Sequence, residues 1–280
     1  KHPSKSLTLV LHFNVECRML TIEFENKIHD DLYLDGGYMF KLDDYPYPLT
    51  LEIITPEKKE WSYIGSRFNV FPQVLSEPTY LILPSSTRIS KNMLVWWTTF
   101  VPFEYRKALE RIPAGKYKLY SVYRLPDYNN SYVEEIYSDT IEFVFLPLEP
   151  DNWAQRTALI EMDSLWDFFI MGGAASGKAG LERLRDSKTP YSEAAHTRLL
   201  TWIRDYRSFA DEKALFDSIY PNSQFESHLL PKHYFRAKDA GFTQEADSLF
   251  VIYKEKMPTH EGVLSVENKI TTTKNPERKQ

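Results

Sequence analysis

Leu146-Pro147-Leu148-Glu149-Pro150-Asp151-Asn152 is the stretch at which the chain changes its period. Upstream of it apolar residues tend to alternate, as in a pleated strand; downstream they recur every three or four positions, as on one face of a helix. Pro147 and Pro150 block continuation of a strand, because proline offers no N–H to a sheet ladder. Asp151 or Asn152 is suited to accept the free N–H groups of a following helix. The stretch therefore predicts a boundary between a β domain over residues 1–149 and a helical domain over residues 150–262. Trp153, a large apolar residue just inside the first helix, is expected to bury at the junction.

Working back toward the N-terminus, strand-like segments fall at 7–15, 19–24, 49–54, 80–83, 93–101, 116–123 and 140–146. Each is bounded by Pro, Gly, Asn, Asp or Ser. About seven such segments, rich in β-branched and aromatic residues, suit two packed antiparallel sheets. In Ile112-Pro113-Ala114-Gly115-Lys116-Tyr117-Lys118-Leu119-Tyr120, Pro113 and Gly115 supply a tight turn, after which Tyr117, Leu119 and Ser121 share one sheet face. This segment resembles the Pro-x-Gly-x-Tyr entry into a late strand of immunoglobulin-like and fibronectin-like bacterial modules. The resemblance implies an immunoglobulin-like β-sandwich and nothing about function.

Toward the C-terminus, Leu159, Met162, Trp166, Phe169 and Ile170 form one apolar helical stripe, and Ala195, Leu199, Trp202 and Tyr206 form another. Thr189-Pro190 is a start signal for the second. Ala240-Gly241-Phe242-Thr243-Gln244-Glu245-Ala246, followed by Phe250, Tyr253 and Pro258, resembles the second helix of a tetratricopeptide repeat. Ala214, Phe216, Ile219, Tyr220 and Pro221 resemble the corresponding end of a preceding repeat. The two prolines stand 37 residues apart, from 221 to 258, close to the period of about 34 in that family. Pro231 lies where a first helix is expected to be continuous, and proline there should kink or split it. After Val263 the text turns polar, which predicts a loose tail over 263–280. The fold class expected is thus an immunoglobulin-like antiparallel β-sandwich followed by all-α, tetratricopeptide-like hairpins.

Composition narrows the function classes. The 280 residues carry a formal charge of −5, and 42% are hydrophobic against 26% charged. That balance is globular, and it argues against a general nucleic-acid binder, which needs a basic excess to collect phosphates. The apolar runs at 141–148 and 165–171 are far shorter than the ~20 residues of a membrane span. The single cysteine, Cys17, forms no internal disulfide and does not identify a redox compartment. The chain opens on Lys1 rather than Met, as expected if an upstream piece such as a signal peptide has been removed. Asp139-Thr140-Ile141, Asp163-Ser164-Leu165, Asp217-Ser218-Ile219 and Asp247-Ser248-Leu249 resemble the tripeptides glycosylated in some exported bacterial proteins. A sandwich fused to repeat-like helices points the same way, to the periplasm or cell surface.

Motifs that would carry chemistry are weak. Gly172-Gly173-Ala174-Ala175-Ser176-Gly177-Lys178-Ala179 has the spacing of a phosphate loop, but Ala179 stands where a magnesium-holding Ser or Thr is required. The segment 172–180 is therefore expected to be a mobile connector that binds no nucleotide, and no cofactor is expected. His228 and His233, five apart, do not share a helical face, so they do not form the zinc clamp of an i, i+4 pair. Adjacent carboxylates such as Asp30-Asp31, Asp43-Asp44 and Glu134-Glu135 point opposite ways in extended chain and read as turn residues. No metal or catalytic site is expected.

Aromatic residues are in excess, at 15%. Trp61, Trp96, Trp97 and Tyr128 fall in the β part and form the candidate binding surface, since flat aromatic surfaces stack on sugars and anchor proteins. Trp96 and Trp97 must face opposite sides of one strand, so one of them belongs to the core. The function expected is non-enzymatic binding or scaffolding of a protein or glycan. The alternative is a hydrolase acting on glycan or peptide, with its site assembled from distant loops, and a deep pocket of convergent ionisable groups is the discriminator.

Overall fold

The computed structural model describes residues 7–14, 19–35, 49–62, 80–94, 113–126, 132–145, 174–189 and 191–273. Antiparallel sheets come first and helices follow, and the chain divides into two compact units. One comprises Lys1–Val15, Leu20–Pro147 and Thr259–Gln280; the other comprises Glu16–Met19 and Leu148–Pro258. The linker at 146–152, Trp153, the stripe from Leu159 to Ile170, and Cys17 lie outside the described residues.

In the β unit, strands β1 (Leu7–Asn14), β2 (Met19–Asn26) and β7 (Arg88–Leu94) form a sheet in the order β1-β2-β7. A larger sheet is built on β8 (Gly115–Pro126), with β4 (Leu49–Ile54) and then β5 (Glu60–Ser62) on one side. On its other side β10 (Ile141–Phe145) pairs with the first part of β8 and β9 (Tyr132–Tyr137) with the second. A third sheet has the order β11-β6-β3, from Thr271–Thr273, Tyr80–Leu83 and Leu32–Asp35.

Alternation does the work in most of these strands. Leu20, Ile22 and Phe24 of β2, Leu49, Leu51 and Ile53 of β4, and Tyr117, Leu119, Ser121 and Tyr123 of β8 are all buried. Strand β6 departs from it: all four of its residues are buried. The aromatic centre of the core is Tyr117 stacked on Phe143 at 5.6 Å, with Phe13 meeting Phe143 edge-on at 5.5 Å. Gly115 enters β8 at φ +137°, and a Cβ there would stand 3.0 Å from Pro56 Cγ, so both conformation and space require glycine. Buried polar groups are paired with backbone: Asn26 Nδ2 donates to the carbonyls of Asp30 and Leu83, both at 2.9 Å.

The helical unit holds α1 (Ala174–Asp186), α2 (Ser192–Trp202), α3 (Tyr206–Ile219), α4 (Glu226–Asp239) and α5 (Thr243–Lys256). A short α6 (Glu261–Val266) belongs to the β unit. Four expectations are corrected here. Residues 174–180 are helical rather than a mobile connector; Ala174, Ala175 and Ala179 favour helix, and Leu181 and Leu184 anchor it in a cluster with Ala195 and Leu199. Gly172 and Gly173 lie outside the described residues. The stripe from Ala195 to Tyr206 is split, because Asp205 caps a new helix by accepting from Ser208 N at 2.8 Å, which makes Tyr206 the first residue of α3. Helix α4 continues through Pro231, its sixth residue, so the proline does not split it, although it leaves one backbone hydrogen bond unmade.

The C-terminal segment also differs from expectation. The helical unit ends at Pro258, not 262, and residues 263–273 are not a loose tail. Val263, Leu264 and Ile270 are buried, and Thr271–Thr273, β-branched and suited to a pleated surface, pairs antiparallel with β6. Ser90 N of β7 donates to Thr259 O at 2.8 Å, and Lys91 pairs with Glu261 at 2.6 Å. His260 caps α6, its Nδ1 accepting from Gly262 N at 3.1 Å. Burial pushes the His260 imidazole down to about 4, with the nearby Lys91 ammonium acting in the same direction.

Candidate functional site

The site lies inside the helical unit and starts from a lysine in an apolar stripe. Helix α3 buries Phe209, Lys213 and Phe216 on one face. At the spacing of the two prolines, Lys213 corresponds to Phe250 of α5 and Phe216 to Tyr253. An ammonium thus occupies a position where the neighbouring hairpin carries a ring. Lys213 is 3% exposed, and burial on that scale demands full pairing. Its Nζ donates to Asp217 Oδ1 at 2.7 Å, Asp217 Oδ2 at 2.8 Å and Glu226 Oε2 at 2.8 Å. Asp217 is the i+4 neighbour on the same helix, and Glu226 is the first residue of α4, where the helix dipole favours a carboxylate. Lys256, the last residue of α5, lies 3.8 Å from Glu226 Oε1, at a helix end that favours a cation.

Lys213 lies behind a cleft of about 510 Å³ lined by Asp217, Tyr220, Pro221, Asn222, Ser223, Glu226 and Lys256. The loop that shapes it is a chain of short turns. Ser223 N donates to Tyr220 O at 3.1 Å, and Phe225 N donates to Ser223 Oγ at 3.0 Å.

Behind Tyr220 lies a second buried pairing. His196 of α2 meets Glu212 Oε1 through Nε2 at 2.8 Å, and Arg185 approaches the same carboxylate at 3.5 Å. The Glu212 carboxylate assigns the imidazole proton to Nε2. Nδ1 has no hydrogen-bond partner among the described residues. The ring meets Phe216 at 5.2 Å and Tyr220 at 6.0 Å, both edge-on. Burial lowers the His196 pKa, and the Glu212 bond offsets this only in part. Burial likewise raises the Tyr220 phenol, with the Glu193 carboxylate adding to it. His196 is fully buried and so has no access to a substrate in the cleft.

The residues singled out from sequence are not gathered here. Trp61 sits in β5, buried, its ring 6.0 Å from Tyr117, and it fills the sheet core. Trp96, Trp97 and Tyr128 lie outside the described residues. Lys178 is on α1 beside Glu182, at 3.7 Å, within a helix rather than an open phosphate-cradling turn. Burial drives His228 down to about 3 and also lowers His233, whose ring packs on Phe209 at 5.4 Å. Among the described residues no group of three or more His, Cys, Asp or Glu is placed to hold a metal ion, and no helix is long and apolar enough to cross a membrane.

Lys213 and Lys256 were not singled out from sequence, and Asp217 and Tyr220 were met only in a tripeptide and at a helix end, not as members of one site. One signal was present: a lysine interrupting the apolar stripe of Phe209, Phe216 and Tyr220, with an aspartate four residues on. Glu226 and Lys256 come from other helices, and their convergence has no sequence signature. No family model matches this chain, and no curated protein matches it.

Proposed function

We propose that this chain is a non-enzymatic binding or scaffold protein of the bacterial envelope, presenting the helical unit to a protein or glycan. The observation that carries the reading is the cleft at Asp217, Tyr220 and Glu226, whose two carboxylates are both committed to one buried ammonium. Groups held in this way give a shaped polar wall, whereas acid–base chemistry needs two carboxylates in different environments. The finer fold assignments belong to the same proposal. An immunoglobulin-like sandwich is supported by Tyr117, whose hydroxyl donates back to Pro113 O at the entry to β8, as a tyrosine corner does. Tetratricopeptide-like hairpins are supported by the starts of α2 and α4, at 192 and 226, which repeat at 34 residues. Export is supported by this pairing of modules and by the exposed Asp139-Thr140 turn between β9 and β10.

The hydrolase reading draws on the same pair, since Asp217 and Glu226 face one cleft at the distance set by their shared lysine. Incubation of the intact chain with casein and with soluble polysaccharides separates the two. No product is expected. Product release that disappears in Glu226→Gln establishes the hydrolase instead.

A further inference from the structure

The wall chemistry of the cleft restricts what it accepts. Its volume of about 510 Å³ lies within the range of small-molecule sites. Asp217, Glu226 and Lys256 line the cleft, and the buried Lys213 ammonium lies directly behind the two carboxylates, so two negative charges are offset by two positive ones. An entering anion meets the carboxylates and an entering cation meets the ammoniums, so neither gains much net Coulomb energy. A neutral, hydroxyl-rich ligand meets no such opposition. The carboxylate oxygens that accept from Lys213 each retain a second lone pair for a hydroxyl donor. Lys256 stands beyond hydrogen-bond distance of Glu226 and keeps donors for a hydroxyl oxygen. Asn222 adds a donor and an acceptor on one amide, and Tyr220 with Pro221 supplies the apolar wall that the C–H face of a sugar ring packs against. Lys213, buried beneath, holds both carboxylates in place before a ligand arrives, which lowers the ordering cost of binding.

We propose that this cleft is a binding site for a neutral saccharide unit; the inference rests on the non-enzymatic binding function above and names its ligand class. The test is a titration of the intact, nitrogen-15-labelled chain with cellobiose, maltose and N,N′-diacetylchitobiose at millimolar concentration, with glucuronate and glucosamine as charged comparators. Saturable amide shifts confined to the Tyr220–Glu226 segment are expected for at least one neutral disaccharide, with weaker responses to both charged sugars. Asn222→Ala removes one neutral hydrogen-bonding side chain and is expected to weaken binding about fivefold. Asn222 is exposed in a loop, and unchanged shifts elsewhere verify that the variant is folded. Absence of saturable shifts with all three disaccharides, equal response to the charged sugars, or shifts remote from the cleft overturns the saccharide class and leaves a protein partner as the binding reading. Release of monosaccharide from the disaccharide during the same titration supports the saccharide class and overturns the non-enzymatic reading.

Discussion

The two units bury their polar groups by different means. In the β unit the interior is aliphatic and aromatic, and buried neutral groups such as Asn26 and Ser121 bond to backbone. In the helical unit the interior is crossed by charge: Lys213 is buried between carboxylates, and Arg236 donates to Leu200 O at 3.2 Å and Thr201 O at 2.9 Å while lying 4.2 Å over the Phe209 ring. Helices leave their last carbonyls without internal partners, so a cation from a neighbouring helix can satisfy them; in a sheet the ladder has already done so. Charge at helix ends is therefore what the hairpins use to fix one another, and the same charge shapes the cleft.

The largest effect should come from the apolar side of this contrast. Phe24→Ala deletes a fully buried ring packed 4.9 Å from Tyr123 and is expected to destabilise the β unit by about 4 kcal/mol, read from denaturant unfolding. Hydrogen exchange should show the loss in the strands and in α6 and β11, which share that unit. If α6 and β11 keep their protection, their assignment to the β unit fails.

Acid probes the β unit at a titratable helix cap, His260. The folded His260 sits at about 4, below its ordinary value of 6.5. Its contribution is therefore complete above pH 6.5 and is lost as pH falls from 6.5 through 4, because protonation takes up the Nδ1 lone pair that Gly262 N donates to. The loss amounts to at most about 3 kcal/mol. His260→Ser keeps a capping oxygen and should flatten that part of the stability–pH curve. His228 and His233 impose the same sign on the helical unit, so comparing variant with parent isolates His260. An unchanged slope in the variant rules out the cap as its source.

Lys213→Ala tests the charged side of the comparison. It leaves Asp217 and Glu226 facing each other without their shared ammonium, at a cost of about 2 kcal/mol, because both carboxylates retain some access to water. Adding Asp217→Asn and Glu226→Gln to Lys213→Met should restore most of it. A triple variant as unstable as the single would show that packing, not charge, holds α3 to α4.

The smallest expected effect is at Arg207, which lies 4.1 Å over the Phe242 ring and pairs with Glu245 at 3.1 Å on the surface. Arg207→Ala should cost about 0.5 kcal/mol, by thermal melting at low salt, and less at high salt.

Much of this architecture was legible locally. Alternation over residues 19–24 and 49–54 marked strands because sheet faces have period two, whereas Gly241, placed by resemblance in the run of a second helix, stands at φ +80° in the turn that closes α4. There Gly241 N donates to Lys238 O and Phe242 N to Ala237 O, closing the helix. Local reading failed where a few residues outweighed a pattern. Asp205 cut one apolar stripe into two helices, and three alanines made helix of a glycine-rich segment.

What the sequence by itself determined is the run of strands followed by helices and the turn chemistry at Pro113–Gly115, because period and backbone freedom are properties of neighbouring residues. Only the tertiary structure decided that the polar C-terminal segment returns to the β unit and that Lys213, Asp217, Glu226 and Lys256 meet at one cleft. Strand pairing and ion pairing between separate helices depend on residues tens of positions apart, and a chain carries no periodic signal for a contact made across space.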